Sequence, residues 1–127
     1  MHLIIDGFSG DAVALDNLES VVSFLLSMPP LLGMTMIDGP RALRYEPPKP
    51  VDAGITGGVY IAESHITVHT FPAVASAMID VCSCKPFNTD VALRAATKAF
   101  GFGTVRHHVI RRMLLPSLAD AIAGGER

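Results

Sequence analysis

The apolar-rich run "HLIIDGF" (His2–Phe8) reads as an opening strand, and "SGD" ends it. From Asp11 a helical period sets in. In "DAVALDNLESVVSFLLSM", Leu15, Leu18, Val22 and Leu25 recur at helical spacing, with Asp16, Glu19, Ser20 and Ser23 largely on the other side. This predicts one amphipathic helix, ended by Pro29 and Pro30. "MTMI" (34–37) predicts a short strand, and the four prolines and two glycines of 38–54 predict a surface loop. Two strands follow at 58–62 and 65–70, with Glu63 and Ser64 between them. A further strand at 76–84 turns Ala77, Ile79 and Val81 one way and Met78, Asp80, Cys82 and Cys84 the other. A second helix is capped by Asn88 or Thr89, runs through Leu93, Ala96 and Phe100, and stops at Gly101. "TVRHHVIRR" closes the sheet, and the tail "AGGER" reads as frayed. The expected fold class is α+β: an antiparallel sheet with two helices on one face, the other face left for a second subunit to cover.

The chain has 127 residues, enough for one domain over 1–127 with one core. Half of them are hydrophobic and 17% charged, which excludes a disordered chain. A net charge of -2 supplies no basic field, so nucleic acid is a poor partner and a small molecule a better one. The longest apolar run, "VVSFLLSMPPLLGM", falls short of the roughly 20 residues of a membrane span, and no signal-type start is present. The expected location is cytoplasmic. Cys82 and Cys84 read as free thiols, because a lone C-x-C pair is weak support for zinc.

"AESHITVHT" (62–70) concentrates the chemistry: Glu63, Ser64, His65 and His69 lie within seven positions of a strand-like run. A polar stripe on an edge strand would explain them equally well. His65, Thr67 and His69 share one face, opposite Ile66 and Val68. Four residues of strand separate the two histidines by about 13 Å, which disfavours a shared metal ion, so no metal is expected. Asp80 needs a donor if buried, and both cysteines default to small buried hydrophobes. Arg106, His107, His108, Arg111 and Arg112 read as a solvated face.

"GITGGVYIAESHITVHTFP" followed by "AMIDVCSC" closely resembles the self-processing core of the prokaryotic S-adenosylmethionine decarboxylases. The Thr-Gly, Glu-Ser-His, His-Thr-aromatic-Pro and later cysteine all stand at that family's spacing, and "HLIIDGFSGDAVALDN" is similar to its opening strand and helix. The resemblance covers most of 2–112. It implies a proenzyme that cuts its own Glu63–Ser64 bond into 1–63 and 64–127 and converts Ser64 into a pyruvoyl group. Ser64 would attack the Glu63 carbonyl with help from Thr56, and His69 would take the α-proton of residue 64 so that the ester eliminates. The pyruvoyl carbonyl would condense with the substrate amine and accept electrons as carbon dioxide leaves, and Cys84 would protonate the product. A homodimer layered α/β/β/α is also implied, feeding spermidine synthesis.

Tyr45, Glu63 and Phe71 are the expected substrate contacts. The resemblance loosens at Ala73, where the family carries an acid suited to ribose hydroxyls, and in the long loop after Tyr45. Relatives with the same processing residues act on L-arginine or L-ornithine, so S-adenosylmethionine is the default substrate and those two are the alternatives. An unprocessed, non-enzymatic binding subunit is disfavoured, because Glu63, Ser64, His69 and Cys84 are all present.

Overall fold

Strand β1 (His2–Phe8) buries Leu3 and Ile5 and turns Ile4 and Asp6 the other way, as its alternation requires. In the computed structural model, which describes residues 1–112, β1 lies between β5 (Ser76–Ser83) and β6 (Thr104–Ile110). With β2 (Thr35–Tyr45), β3 (Gly54–Ala62) and β4 (Ser64–Phe71) it forms a six-stranded sheet in the order β2-β3-β4-β5-β1-β6. Every pairing is antiparallel. Helices α1 (Ala12–Leu15), α2 (Leu18–Leu31) and α3 (Thr89–Phe100) pack on one side, and the core lies between them and the inward side chains Leu3, Ile5, Ile66, Val68, Ile79 and Val81. The α+β expectation holds, with three helices in place of two.

The differences from expectation have local causes. The single helix is two, because Asn17 accepts from Ser20 N–H at 3.1 Å and starts α2 afresh after the one-turn α1 capped by Asp11. That break shifts the buried stripe to Val21, Phe24, Leu25 and Met28, leaving Leu18 exposed. Pro29 and Pro30 sit inside the last turn of α2 instead of ending it, and Leu32 N–H still bonds Met28 O at 3.0 Å. Met34 lies just outside β2, which runs on through the supposed loop to Tyr45. As an edge strand it tolerates Pro40, which has no N–H to donate, and register shifts between Met36 and Arg41 absorb the irregularity. The true connection is 46–53, with a 3₁₀ turn at Pro50–Asp52. β3 begins four residues earlier than expected, β5 ends at Ser83 and β6 at Ile110. The tail 123–127 lies outside the described residues.

Two glycines set close approaches. A Cβ on Gly7 would overlap the Phe102 ring, and one on Gly54 would overlap the Thr70 carbonyl. Thr70 is itself buried, its Oγ1 accepting from Ile55 N–H at 2.9 Å. The outward face of the sheet keeps Leu43, Tyr60 and Met78 exposed. No helix among the described residues is long and apolar enough to cross a membrane.

Phe100 is fully buried, with Phe24 at 5.2 Å and Phe102 at 5.8 Å between ring centroids, so it docks α3 onto both α2 and the sheet. Phe100→Ala should cost about 3–5 kcal/mol. The check is a lower urea midpoint with an unchanged denaturant slope.

Candidate active site

The β3–β4 hairpin is very tight: Ile61 pairs with Ser64, and Glu63 is the exposed tip. Ser64 has φ +115°, a region L-residues rarely occupy and one that costs on the order of 1–3 kcal/mol. Its Oγ lies 3.3 Å from His65 Nδ1. The Glu63 carbonyl, the other end of the same peptide bond, accepts a long 3.4 Å hydrogen bond from Cys84 N–H.

Cys84 is held there by the residue before it. Ser83 is buried opposite Ser64, its N–H bonds Met1 O at 2.9 Å, and its Oγ accepts from Lys85 N–H at 3.0 Å, bridging over Cys84. A strained serine, the carbonyl before it and the backbone N–H of half-buried Cys84 thus meet at one end of β4.

A second cluster occupies the other end. Thr56 and His69 are direct cross-strand partners, with Thr56 Oγ1 3.2 Å from His69 Nδ1. The contact leaves Nε2 as the free ring nitrogen and fixes the ring's orientation. They line a cleft of about 310 Å³ together with Tyr45, Asp52, Phe71 and Met78. A wider groove of about 890 Å³ runs along the open face between the clusters, past Tyr60, His65, Gly58, Thr67 and His69.

The expected site residues therefore fall into two groups. Glu63, Ser64 and Cys84 stand together, and so do Tyr45, Thr56, His69 and Phe71. Five residues of extended strand separate Ser64 from His69, about 16 Å, so the single chain does not bring the serine and its expected base together. His65, noted in the sequence cluster but given no role there, touches the Ser64 hydroxyl, and Asp52 was not singled out at all. Asp52 reaches the aromatic cleft only through the shape of the 46–53 connection, which no periodicity encodes.

Of the remaining candidates, half-buried Asp80 has its donor in His2 Nε2 at 2.9 Å. Cys82 is buried and free, and Arg112 Nη1 donates to its sulfur at 3.7 Å. Arg106 lies 4.9 Å above the Phe8 ring, so the basic stretch is engaged at both ends and is not simply a solvated face. Among the described residues no three metal-ligating side chains converge.

A model of the S-adenosylmethionine decarboxylase family matches residues 1–113, a span that contains both clusters. The chain belongs to that family. It is 35% identical over 83 residues to the S-adenosylmethionine decarboxylase proenzyme of Methanococcus aeolicus, covering 65% of this chain and 66% of that one. To the proenzyme of Thermosipho africanus it is 28% identical over 112 residues, covering 84% and 80%. The match spans just under two thirds of the length of the Methanococcus and Thermoanaerobacter relatives. The crystal structure of the adenosylmethionine decarboxylase from Aquifex aeolicus shares the fold, with a TM-score of 0.73 at 24% identity over 90% of each chain.

Proposed function

We propose that the chain is a self-processing, pyruvoyl-dependent decarboxylase, cut at Glu63–Ser64 and acting on S-adenosylmethionine to supply aminopropyl groups for spermidine. One observation carries this reading: the backbone is strained at Ser64, and the carbonyl to be attacked already holds the Cys84 N–H. Attack by Ser64 Oγ places negative charge on the Glu63 oxygen, where that donor strengthens as charge develops. Collapse breaks the peptide bond, releases the local strain and leaves an ester. His69 then removes the α-proton of residue 64. The Glu63 carboxylate departs, and the remaining dehydroalanine hydrolyses with loss of ammonia to give the pyruvoyl group. That group supplies an electron sink for loss of carbon dioxide. Cys84, half-buried beside it, delivers the proton that the product carbon needs.

The separation of about 16 Å implies a second copy. If two open faces pack with their β4 strands antiparallel about a two-fold axis, Ser64 of each copy meets His69 of the other. The axis then passes between Ile66 and Thr67, where the cross-strand neighbour Gly58 leaves room. Each site would take Glu63, Ser64 and Cys84 from one copy and Tyr45, Thr56, His69 and Phe71 from the other. Leu43, Tyr60 and Met78 would be covered in the same homodimer interface, of more than ~1,000 Å². The free thiols Cys82 and Cys84 suit the reducing cytoplasm.

The aromatic cleft supports the substrate choice. Tyr45 and Phe71 offer two ring faces to a purine. The carboxylate missing at Ala73 has a substitute in Asp52, because the Pro50–Asp52 turn packs against the Pro72–Val74 turn that carries Ala73. The same carboxylate would suit the guanidinium of arginine or the ammonium of ornithine. Purified protein is therefore offered S-adenosylmethionine, arginine and ornithine separately, and carbon dioxide release is measured. Release from S-adenosylmethionine alone is the expected result, and release from either amino acid would reassign the substrate.

Three further outcomes are expected. Intact mass should show two fragments for the wild type and one uncut chain for Ser64→Ala; an uncut, fully active wild type ends the pyruvoyl assignment. Coexpressed Ser64→Ala and His69→Ala chains, each inactive alone, should recover about a quarter of wild-type decarboxylation through random pairing. No recovery in a pool containing mixed dimers would count against a shared site. Cys84→Ala keeps its backbone N–H, so it should still cut itself while its turnover falls by about 10²–10⁴. Wild-type turnover in that variant would remove the thiol from the mechanism.

A further inference from the structure

The acyl shift needs a base before it needs anything else. A serine hydroxyl is a poor nucleophile until its proton has somewhere to go. His69, about 16 Å along the strand, cannot supply that base within the chain, and its Nδ1 is engaged by Thr56 Oγ1 at 3.2 Å. The nitrogen that does reach Ser64 Oγ is His65 Nδ1, at 3.3 Å. We propose that His65 is a catalytic residue of self-processing, the general base that takes the Ser64 hydroxyl proton and returns it to the departing amine. The proposal rests on the self-processing reading and assigns a step that His69 and Cys84 leave unfilled.

Local structure supports the assignment. His65 is half-buried and points to the open face, directly opposite Tyr60 on one strand and Cys82 on the other. Its backbone is held in two ladders, so the ring is carried by rigid strand while the hydroxyl it faces sits on the strained residue next door. The step needs the tautomer with hydrogen on Nε2, so that Nδ1 accepts. The proton then moves from Oγ to Nδ1 as Oγ bonds to the Glu63 carbonyl carbon. The carbonyl electrons move onto the oxygen held by Cys84 N–H. When the intermediate collapses, the bond from the Glu63 carbon to the Ser64 nitrogen breaks, and the proton on Nδ1 passes to that nitrogen. The products are an ester and a free amine. Atoms and charge balance without an oxidant, a reductant or a second molecule.

The arrangement divides the two histidines by stage. His65 acts before the ester exists and His69 of a second copy acts after it, so their variants should stop at chemically different points. Hydroxylamine cleaves esters and spares ordinary peptide bonds, which makes the stopping point readable on a denaturing gel. His65→Asn is the informative variant. Its amide oxygen keeps an acceptor near the position of Nδ1 and can still orient the hydroxyl, but it cannot take up the proton.

The test uses full-length wild type, His65→Asn, His65→Gln and His69→Ala, with far-UV circular dichroism to select folded variants; the glutamine variant stands in if the asparagine variant does not fold. The expected result for the folded His65 variant is cutting slowed by about 10²–10⁴, with no fragments released by hydroxylamine. His69→Ala should instead release both fragments under hydroxylamine. The proposal is overturned if the His65 variant cuts itself at the wild-type rate, which would leave the ring a positioning role at most. It is equally overturned if that variant accumulates the hydroxylamine-sensitive ester, because the shift would then have proceeded without His65. An uncut wild type is a different failure: it removes the self-processing reading itself, and the assignment of His65 with it.

Discussion

A strand cannot turn two neighbouring side chains to the same side, and in a sheet with helices on only one face this parity decides what each residue is available for. The helices bury Ile66 and Val68 of β4 and Ile79 and Val81 of β5, all essentially inaccessible to solvent. What remains on those strands is His65, Thr67, His69 and their neighbours, facing away from the core. A slip of β4 by one residue would bury two imidazoles and expose Ile66 and Val68, at a cost of several kcal/mol. The chemistry on the open face is therefore registered by packing on the closed face. No residue of either candidate cluster has to be held in place by its own interactions alone.

The same register explains why the clusters are apart. β4 pairs with β5 without a break from Ser64 to Phe71, and each end is anchored by a different device. At one end, Ser83 ties the end of β5 to the first residue and to Lys85, presenting the Cys84 N–H to the Glu63 carbonyl. At the other, Gly54 lets β3 come against the Thr70 carbonyl, and Thr70 Oγ1 secures Ile55, so Thr56 reaches His69. Two separate clusters result, at opposite ends of one continuously paired strand.

Most of the fold was legible because it rests on period. The two-residue alternation of β4 and β5 identified both their existence and their faces, the apolar run of β1 identified its existence, and Asn88 and Gly101 bracket α3 as their cap chemistry requires. What failed was punctuation. Prolines do not end an element whose neighbouring bonds survive: α2 closes its last turn past Pro29 and Pro30 through Leu32 N–H on Met28 O, and β2, at the sheet edge, has a side where Pro40 needs no donor. The contents of the candidate site were expected from the spacing of Ser64, His69 and Cys84, and the structure sets Ser64 and Cys84 at one end of β4 and His69 towards the other. Its division was equally present in that spacing, since five residues of strand are too long for one proton transfer, but a motif reads as a unit until its length is counted. Asp52 was beyond reach, because its place depends on how one irregular turn rests on another.

The strand order has a consequence of its own if the bond at 63–64 is broken. The first fragment then owns β1, β2 and β3, and the second owns β4, β5 and β6, yet in the sheet they run β2-β3-β4-β5-β1-β6. The fragments are dovetailed: β1 is wedged between two strands of the other piece, and β3 borders a third. Three of the five hydrogen-bonded pairings cross the cut and only two lie within a piece, so the halves cannot peel apart one edge at a time. Such a cut would have to follow folding, because a sheet threaded this way is assembled most readily while the chain is still continuous.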